Sequence, residues 1–386
     1  MAIEREISLR VNQESMPSLE NFPYVDIDQY YMTPSISEFP EVNGVEWRIR
    51  KKMQADGNVR WTSAVKFGDK SKGQRTEIET NLEPGSFFTD EVEIRSRAFA
   101  VLRKRRYDLG EELIVDRFIA ATEGEKYQGE KEFTTDDEAK AWQPPAWLRR
   151  DSSLPSNRKR AIDLIPSDRE AQPPESLSRS ELLQALRATT SEGPMIITVS
   201  GMTGSGKSTI ARDLAEGMDA VHLEADHLQI GNREMLRRYG EINHDLVDVY
   251  DYRLAGSLAL LLASGNPTEF PEYDYSISER SDRIITHQPT TSRNVVIDGL
   301  YACTSMDASD TLGLRDNVDI KHILVSTPLY VSVIRRLLRD SDLGVGRSSE
   351  RPVALTSEET LAYLLSTAIP TYLQAKLDKK FDYVVH

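Results

Sequence analysis

The chain has 386 residues, 48 basic and 62 acidic, giving a formal net charge of −14. That balance, with no basic tail, argues against general nucleic-acid binding, and the length favours two domains. A single cysteine, Cys303, excludes an intramolecular disulfide; the chain opens without an apolar signal core, and its longest apolar stretch, around residues 254–263, is too short to span a bilayer, so the reading is a cytoplasmic protein with no membrane partner.

The N-terminal part alternates charged and apolar residues. In 3–11, Ile3, Ile7, Leu9 and Val11 alternate with Glu4, Glu6, Ser8 and Arg10. In 45–52, Val45, Trp47 and Ile49 alternate with Glu46, Arg48, Arg50 and Lys52. The pattern recurs around Lys66, at Arg75, Glu77 and Glu79, at Lys104 and Arg106, and at Glu130 and Glu132. Strand side chains have period two, so each segment predicts a strand with one charged face. A half-buried antiparallel sheet with its charges in water is the ordinary explanation. Closure with the charges inward is the other; it would set carboxylates that can hold Mg²⁺ or Mn²⁺ beside cations that can hold phosphate.

The same residues resemble the CYTH domains, or triphosphate tunnel metalloenzymes. Glu4-x-Glu6 matches their opening E-x-E-x-K, and 28–31 resembles their Q-x-Y-L element. Arg48-x-Arg50, Lys66, Arg75-x-Glu77-x-Glu79, Lys104-x-Arg106-Tyr107, Asp116 and Glu130-x-Glu132 match later strands, and Pro144-Pro145-Ala146-Trp147-Leu148 the closing P-P-x-W-L. The resemblance implies an antiparallel β-barrel that binds, and cleaves, tripolyphosphate, pyrophosphate or a nucleoside triphosphate. Glu4, Glu6, Glu130 and Glu132 would hold Mg²⁺ or Mn²⁺, and Arg48, Arg50, Lys66, Arg75, Lys104 and Arg106 the phosphates. The lysine of the opening motif is Ser8 here; Arg10 lies two residues on with the same facing and could substitute for it in part.

A proline-rich stretch with the basic cluster Arg158-Lys159-Arg160 follows. It reads as a linker over 154–176, separating a tunnel domain, 1–153, from a second domain, 177–386. Ser178 and Glu181 form a capping-box start for a short helix carrying Leu182, Leu183 and Leu186.

The β-branched run 195–200 then enters Gly201-Met-Thr-Gly204-Ser205-Gly206-Lys207-Ser208-Thr209. This is G-x-x-x-x-G-K-S between a strand and a helix over 207–216. Its glycines let backbone N–H groups curl around a phosphate chain, Lys207 reaches the terminal phosphates, and the Ser208 hydroxyl suits Mg²⁺. Strands are predicted at 220–224, 294–297, 320–325 and 383–385, alternating with helices as a parallel sheet requires. Asp226 and Asp298 follow strand ends on the rim where ligands of such sheets gather, placed to hold a metal or accept a hydroxyl proton. Arg335, Arg336, Arg339 and Arg347 lie on or beyond a helix that suits a lid over a triphosphate.

Residues 195–386 resemble the uridine kinase and phosphoribulokinase family. Besides the phosphate loop, Asp226 matches its acceptor-activating aspartate, 243–250 the stretch before its acceptor helix, and 271–275 with Arg280 its P-x-Y-D-F segment and following arginine. Val296-Ile297-Asp298-Gly299 matches a strand usually ending Glu-Gly. The resemblance implies an α/β P-loop kinase that uses ATP and Mg²⁺ and phosphorylates a small hydroxyl acceptor. Lys207, Asp226, Arg339 and Arg347 would be catalytic, and Ser208 and Asp298 would hold the metal. Three family positions differ: D-x-F-Y reads Asp226-His227-Leu228-Gln229, a base-reading histidine is Ser278, and the first arginine of R-G-R is Val345. The fold expected is thus an α+β antiparallel barrel followed by an α/β parallel-sheet domain, with room for assembly into a homo-oligomer. Three other functions stay open: a tunnel-only triphosphatase or pyrophosphatase with the kinase half as nucleotide sensor, a class IV adenylate cyclase-like activity, and a non-catalytic phosphate-ligand sensor.

Overall fold

A computed structural model describes residues 2–4, 6–34, 44–67, 75–119, 126–151, 176–189, 193–306, 317–340, 356–374 and 381–385; Arg347, Val345 and most of the 154–176 linker lie outside them. The chain divides into two units: Met1–Ala171 with Ser357–Ala362, and Gln172–Thr356 with Tyr363–His386.

The first unit contains β1 (Ala2–Glu4), β2 (Glu6–Val11), β3 (Tyr24–Tyr31), β4 (Glu46–Gln54), β5 (Val59–Phe67), β6 (Arg75–Leu82), α1 (Glu91–Arg97), β7 (Ala100–Asp108), β8 (Leu113–Phe118), β9 (Tyr127–Glu132), α2 (Asp136–Ala141) and β10 (Leu148–Arg150). Its strands form one antiparallel sheet ordered β1-β6-β5-β4-β3-β7-β8-β9-β2-β10. One residue separates β1 from β2, and β1 pairs with β6 while β2 pairs with β9. The pairing therefore runs round in a ring through the segment 2–11.

Register sorts the two faces. Arg48 lies opposite Tyr31 and Ala64, Arg50 opposite Gln29 and Thr62, Lys66 opposite Glu46 and Glu77, and Arg106 opposite Val25 and Asp116. Partners across a strand pair share a face, so the alternating charges fall on one side. The other side carries Trp47, Ile49, Val65 and Ile78, all buried. Trp47 donates its indole N–H to Ser63 Oγ at 2.9 Å and meets Phe88 edge-on, with ring centroids 5.9 Å apart. Phe88, from a 3₁₀ turn at Phe87–Thr89, and Ile94 of α1 are fully buried.

The second unit contains β11 (Ser176–Leu177), α3 (Arg179–Ala188), β12 (Met195–Gly201), α4 (Lys207–Gly217), β13 (Ala220–Glu224), α5 (Asn232–Tyr239), α6 (Tyr252–Ala263), β14 (Thr268–Asp274), β15 (Glu279–His287), β16 (Asn294–Gly299), β17 (Asp319–Val325), α7 (Leu329–Asp340), α9 (Ile369–Gln374) and β18 (Tyr383–Val385), while α8 (Ser357–Tyr363) falls, all but its last residue, in the first unit. A parallel sheet, β11-β18-β17-β12-β16-β13, forms its centre. All seven residues of β12 are buried, as expected of a strand covered on both faces. Ile210, Ala211 and Leu214 of α4 join one apolar cluster with β12, and Ala255, Leu258, Ala259 and Leu262 of α6 join the other. The expected capping box at Ser178 and Glu181 is present. Two elements carried no usable sequence signal: the two-residue edge strand β11, where a linker was expected, and the hairpin β14–β15, whose first strand contains Pro271. Among the described residues, no helix is long and apolar enough to cross a membrane.

Candidate functional site

In the second unit, β12 ends at Gly201 and the chain turns through Gly204 and Gly206 into α4. Gly204 has φ +77° and Gly206 φ +94°, the left-handed region that glycine enters without strain. A Cβ on Gly204 would sit 2.6 Å from the Ser332 carbonyl oxygen of α7, and one on Gly201 would sit 2.9 Å from the Val325 carbonyl oxygen. The glycines thus let the loop lie directly against α7 and the end of β17. Thr327 Oγ1 donates to the Ser205 carbonyl at 2.8 Å, tying the loop down. Ser205 Oγ is buried without a hydrogen-bond partner, so the loop holds a polar atom that a bound phosphate chain could satisfy. Thr209 is exposed on the first turn of α4.

Parallel pairing brings the strand ends to one rim: Ser200 of β12 lies beside Gly299, and Glu224 of β13 beside Asp298. Asp298 is 4% exposed, and its Oδ1 accepts from His222 Nε2 at 3.0 Å. Burial alone would raise its carboxyl, but His222, a hydrogen bond from Ser208 and the charge of Lys207 together hold it below the ordinary carboxylate value. Burial pushes the Lys207 ammonium down, Asp226 and Asp298 oppose that, and Arg339 and Arg336 add to it. Lys207, Ser208, Asp226, Asp298, Arg336 and Arg339 therefore act on one another electrostatically around the phosphate loop. The ionised Asp298 and the Ser208 hydroxyl are hard oxygen donors, a set that fits Mg²⁺. With that ion bound they would supply it for neutralising phosphate charge.

Sequence reasoning set the catalytic emphasis on Arg339 and Arg347. Arg347 lies outside the described residues, and Arg339 is exposed at the end of α7. Arg339 and Arg336 both bear on the charge of Lys207. Arg336 also donates to Thr203 Oγ1, and Arg335 Nη1 lies 3.8 Å from where a Gly206 Cβ would be. Helical spacing alone did not reveal these loop contacts.

Asp226 lies in the 3₁₀ turn Ala225–Leu228 directly after β13. The following backbone is held by Arg280, which donates to the carbonyls of Leu228 and Gln229, each at 3.1 Å. Arg280 therefore shapes the turn. Gln229, in place of the family aromatic, is buried and its Oε1 bonds His244 Nδ1 at 2.9 Å. Asp245 is also buried: its Oδ2 accepts from the Tyr363 hydroxyl at 2.6 Å and its carbonyl from the Tyr301 hydroxyl at 2.8 Å. Ser278 has φ +53° in the β14–β15 turn, where its carbonyl accepts from the Asn232 N–H.

A family model described as the phosphoribulokinase / uridine kinase family matches residues 196–351. A uridine kinase of Latilactobacillus sakei is 30% identical over 154 residues, which is 39% of this chain and 69% of that protein. One of Alkaliphilus metalliredigens is 30% identical over 191 residues, 47% of this chain and 80% of that protein. The chain belongs to the phosphoribulokinase/uridine kinase family. Its second unit is a P-loop kinase domain of that family, for which ATP is the phosphoryl donor. A solved structure from Bacillus stearothermophilus, described as a possible uridine kinase, is similar at 17% identity over 54% of this chain and 97% of that one, with a TM-score of 0.33.

The first unit lies outside the family match, and its charged face is a second candidate site. Lys104 is 2% exposed, Asp116 0%, Lys66 5%, and Arg48 and Glu130 6% each. Arg106 grips Asp116 with two bonds of 2.8 Å and reaches Glu130 Oε2 at 2.8 Å, while Lys104 also donates to Asp116. Arg48 and Lys66 meet Glu77 at 3.1 and 2.8 Å; Arg50 and Lys52 meet Glu79 at 3.3 Å each. Burial alone would raise the Asp116 carboxyl, but Arg106 and Lys104 outweigh it and hold that group far below the ordinary range. These five charged groups are therefore withdrawn from water, while Lys52, Glu79 and Arg106 of the same face stay partly exposed.

Glu4, Glu6 and Arg75 take register positions opposite Arg75, Glu132 and Glu4 respectively, and their side chains lie outside the described residues. Glu132 is exposed, Glu130 is engaged by Arg106, and no group of three or more possible metal ligands is assembled among the described residues. The Arg10 guanidinium, 40% exposed, pairs with Asp151 Oδ2 at 2.7 Å, just beyond β10. That partner is 141 residues away in the chain, where no local pattern would reveal it. At one end of the strands a cavity of about 710 Å³ is lined by Arg106, Val25, Gln54, Ile114, Glu111 and Glu112.

Proposed function

We propose that the second unit transfers the γ-phosphoryl group of ATP to a hydroxyl of a small acceptor. The observation that carries this is the convergence of Lys207, Ser208, Asp226 and Asp298 around a glycine loop. Ser208 and Asp298 hold Mg²⁺, Lys207 and the α7 arginines take up charge on the transferring group, and Asp226 accepts the hydroxyl proton. Arg347 belongs to this set by the family resemblance. The similar uridine kinases make nucleosides the first acceptors to test. Gln229 and Ser278, where the family has groups that read a base, favour an acceptor other than uridine.

The first unit we read as a CYTH-like tunnel that binds a polyphosphate, with tripolyphosphate, pyrophosphate and nucleoside triphosphates as candidates. Burying an ion costs several kcal/mol, and an apolar core of similar volume would serve stability as well. Stability therefore leaves the enclosed cations unexplained, whereas a polyanionic ligand explains them. Metal binding there by Glu4, Glu6, Glu130 and Glu132, with Mg²⁺ or Mn²⁺, is part of this reading.

The test is a panel of acceptors and metals on the full chain. It scores phosphorylated acceptor and phosphate released from tripolyphosphate, in the wild type and K207A. Acceptor phosphorylation lost in K207A supports the kinase reading, and full retention overturns it. Tripolyphosphate that neither binds nor is cleaved overturns the tunnel reading.

A further inference from the structure

We infer that His222 is a positioning residue of the phosphoryl-transfer site, holding one oxygen of Asp298 so that the other is presented to the nucleotide-bound metal. The inference rests on the kinase reading above and adds a residue that lies outside the phosphate loop, the strand-end carboxylates and the arginine helix.

His222 is on β13, the edge strand, beside β16, which carries Asp298. In register it lies opposite Val296, two residues short of Asp298, so its side chain reaches along the strand to the carboxylate. Nε2 meets Oδ1 at 3.0 Å. A carboxylate only accepts, so Nε2 carries the proton and donates. The other ring nitrogen, Nδ1, lies 3.9 Å from Glu224 Oε1, beyond hydrogen-bond range, leaving the Asp298 bond as the ring's anchor. The imidazole is only 15% exposed and Asp298 only 4%, so water does not readily replace it.

An aspartate has two side-chain torsions, and at the end of a strand it can turn either oxygen to the ligand. His222 holds one oxygen of Asp298 at 3.0 Å, so the carboxylate is oriented before any metal arrives. Partners behind a metal ligand typically affect metal affinity by about 10–100-fold.

The experiment compares H222L and H222Q in the full chain. Leucine fills the space without a donor; glutamine keeps one. Mn²⁺ is titrated in the presence of ADP and followed by electron paramagnetic resonance, and ADP affinity is measured separately in EDTA. H222L is expected to weaken Mn²⁺ by about 10–100-fold, with ADP affinity in EDTA unchanged and with H222Q near wild type. Equal Mn²⁺ affinity in H222L and wild type overturns the inference, as does a matching loss of ADP affinity in EDTA. If H222L does not fold by circular dichroism, H222N decides: its shorter amide falls short of Oδ1 and must show the same loss, and retention overturns the inference. Failure of the kinase reading looks different, since wild type would then phosphorylate no acceptor whatever the Mn²⁺ affinity of H222L.

Discussion

The second unit buries apolar strands and gathers the charges of its candidate site at one rim, whereas the first buries several charges within its strands, Lys104, Asp116, Lys66 and Arg48 among them. In the kinase domain, β12 is enclosed over its full length and Lys207 stands just past its end. In the first unit, Lys104 lies in the middle of β7 and is almost completely buried. The difference teaches where each unit is vulnerable. Loss of a rim charge should affect chemistry and leave the fold, while loss of an enclosed charge should affect the fold itself.

The largest expected effect tests the second half of that contrast. D116A leaves Lys104 and Arg106 without their shared carboxylate, and breaking a buried pair costs about 3–5 kcal/mol. All four tryptophans, Trp47, Trp61, Trp142 and Trp147, precede the linker. Urea unfolding followed by tryptophan fluorescence therefore reports on the first unit in the intact protein. A change below about 1 kcal/mol would mean that the enclosed charges are not tightly coupled.

K207A tests the first half. Loss of one charge-stabilising group typically lowers turnover by about 10²–10³-fold, and the unfolding midpoint of the full chain read by far-ultraviolet circular dichroism, which senses both units, should stay in place. A shift in that midpoint would break the comparison.

The pH dependence sharpens it. The folded Asp116 carboxyl is depressed below its ordinary value near 3.8. Its contribution is therefore fully present above the unfolded value and is lost as pH falls towards the folded one. The stability difference between wild type and D116A should be constant above roughly pH 5 and shrink below it. A difference that grows on acidification contradicts the assignment.

G204A forces a side chain into a left-handed residue beside the Ser332 carbonyl. At about 1–2 kcal/mol of strain, ATP should bind roughly tenfold more weakly, as read by calorimetry. The smallest effect belongs to R10A: Arg10 is 40% exposed in its pair with Asp151, and such pairs contribute about 0–1 kcal/mol. A larger loss in urea would show that the pair anchors β10.

The phosphate loop was legible because its signal is local: glycine spacing, a β-branched strand before it and a lysine at the helix start all lie within one short segment. The parallel strands were legible for the same reason, since apolar runs ending in Asp or Gly mark both the strand and its rim. The pairings that shape the site were not. His222 and Asp298 are 76 residues apart, and the bond from Arg336 to Thr203 depends on which side of α7 meets the loop.

For the first unit the division is sharper. The sequence by itself determined that each strand has a charged and an apolar face, because side chains alternate with period two. It did not determine which face is enclosed. Alternation is identical whether a sheet lies open with its charges in water or closes around them. The tertiary structure added two things: β1 pairs with β6 while β2 pairs with β9, and Lys104, Asp116, Lys66 and Arg48 are buried. Closure is a long-range property of strand order, and the alternating pattern carries no record of it.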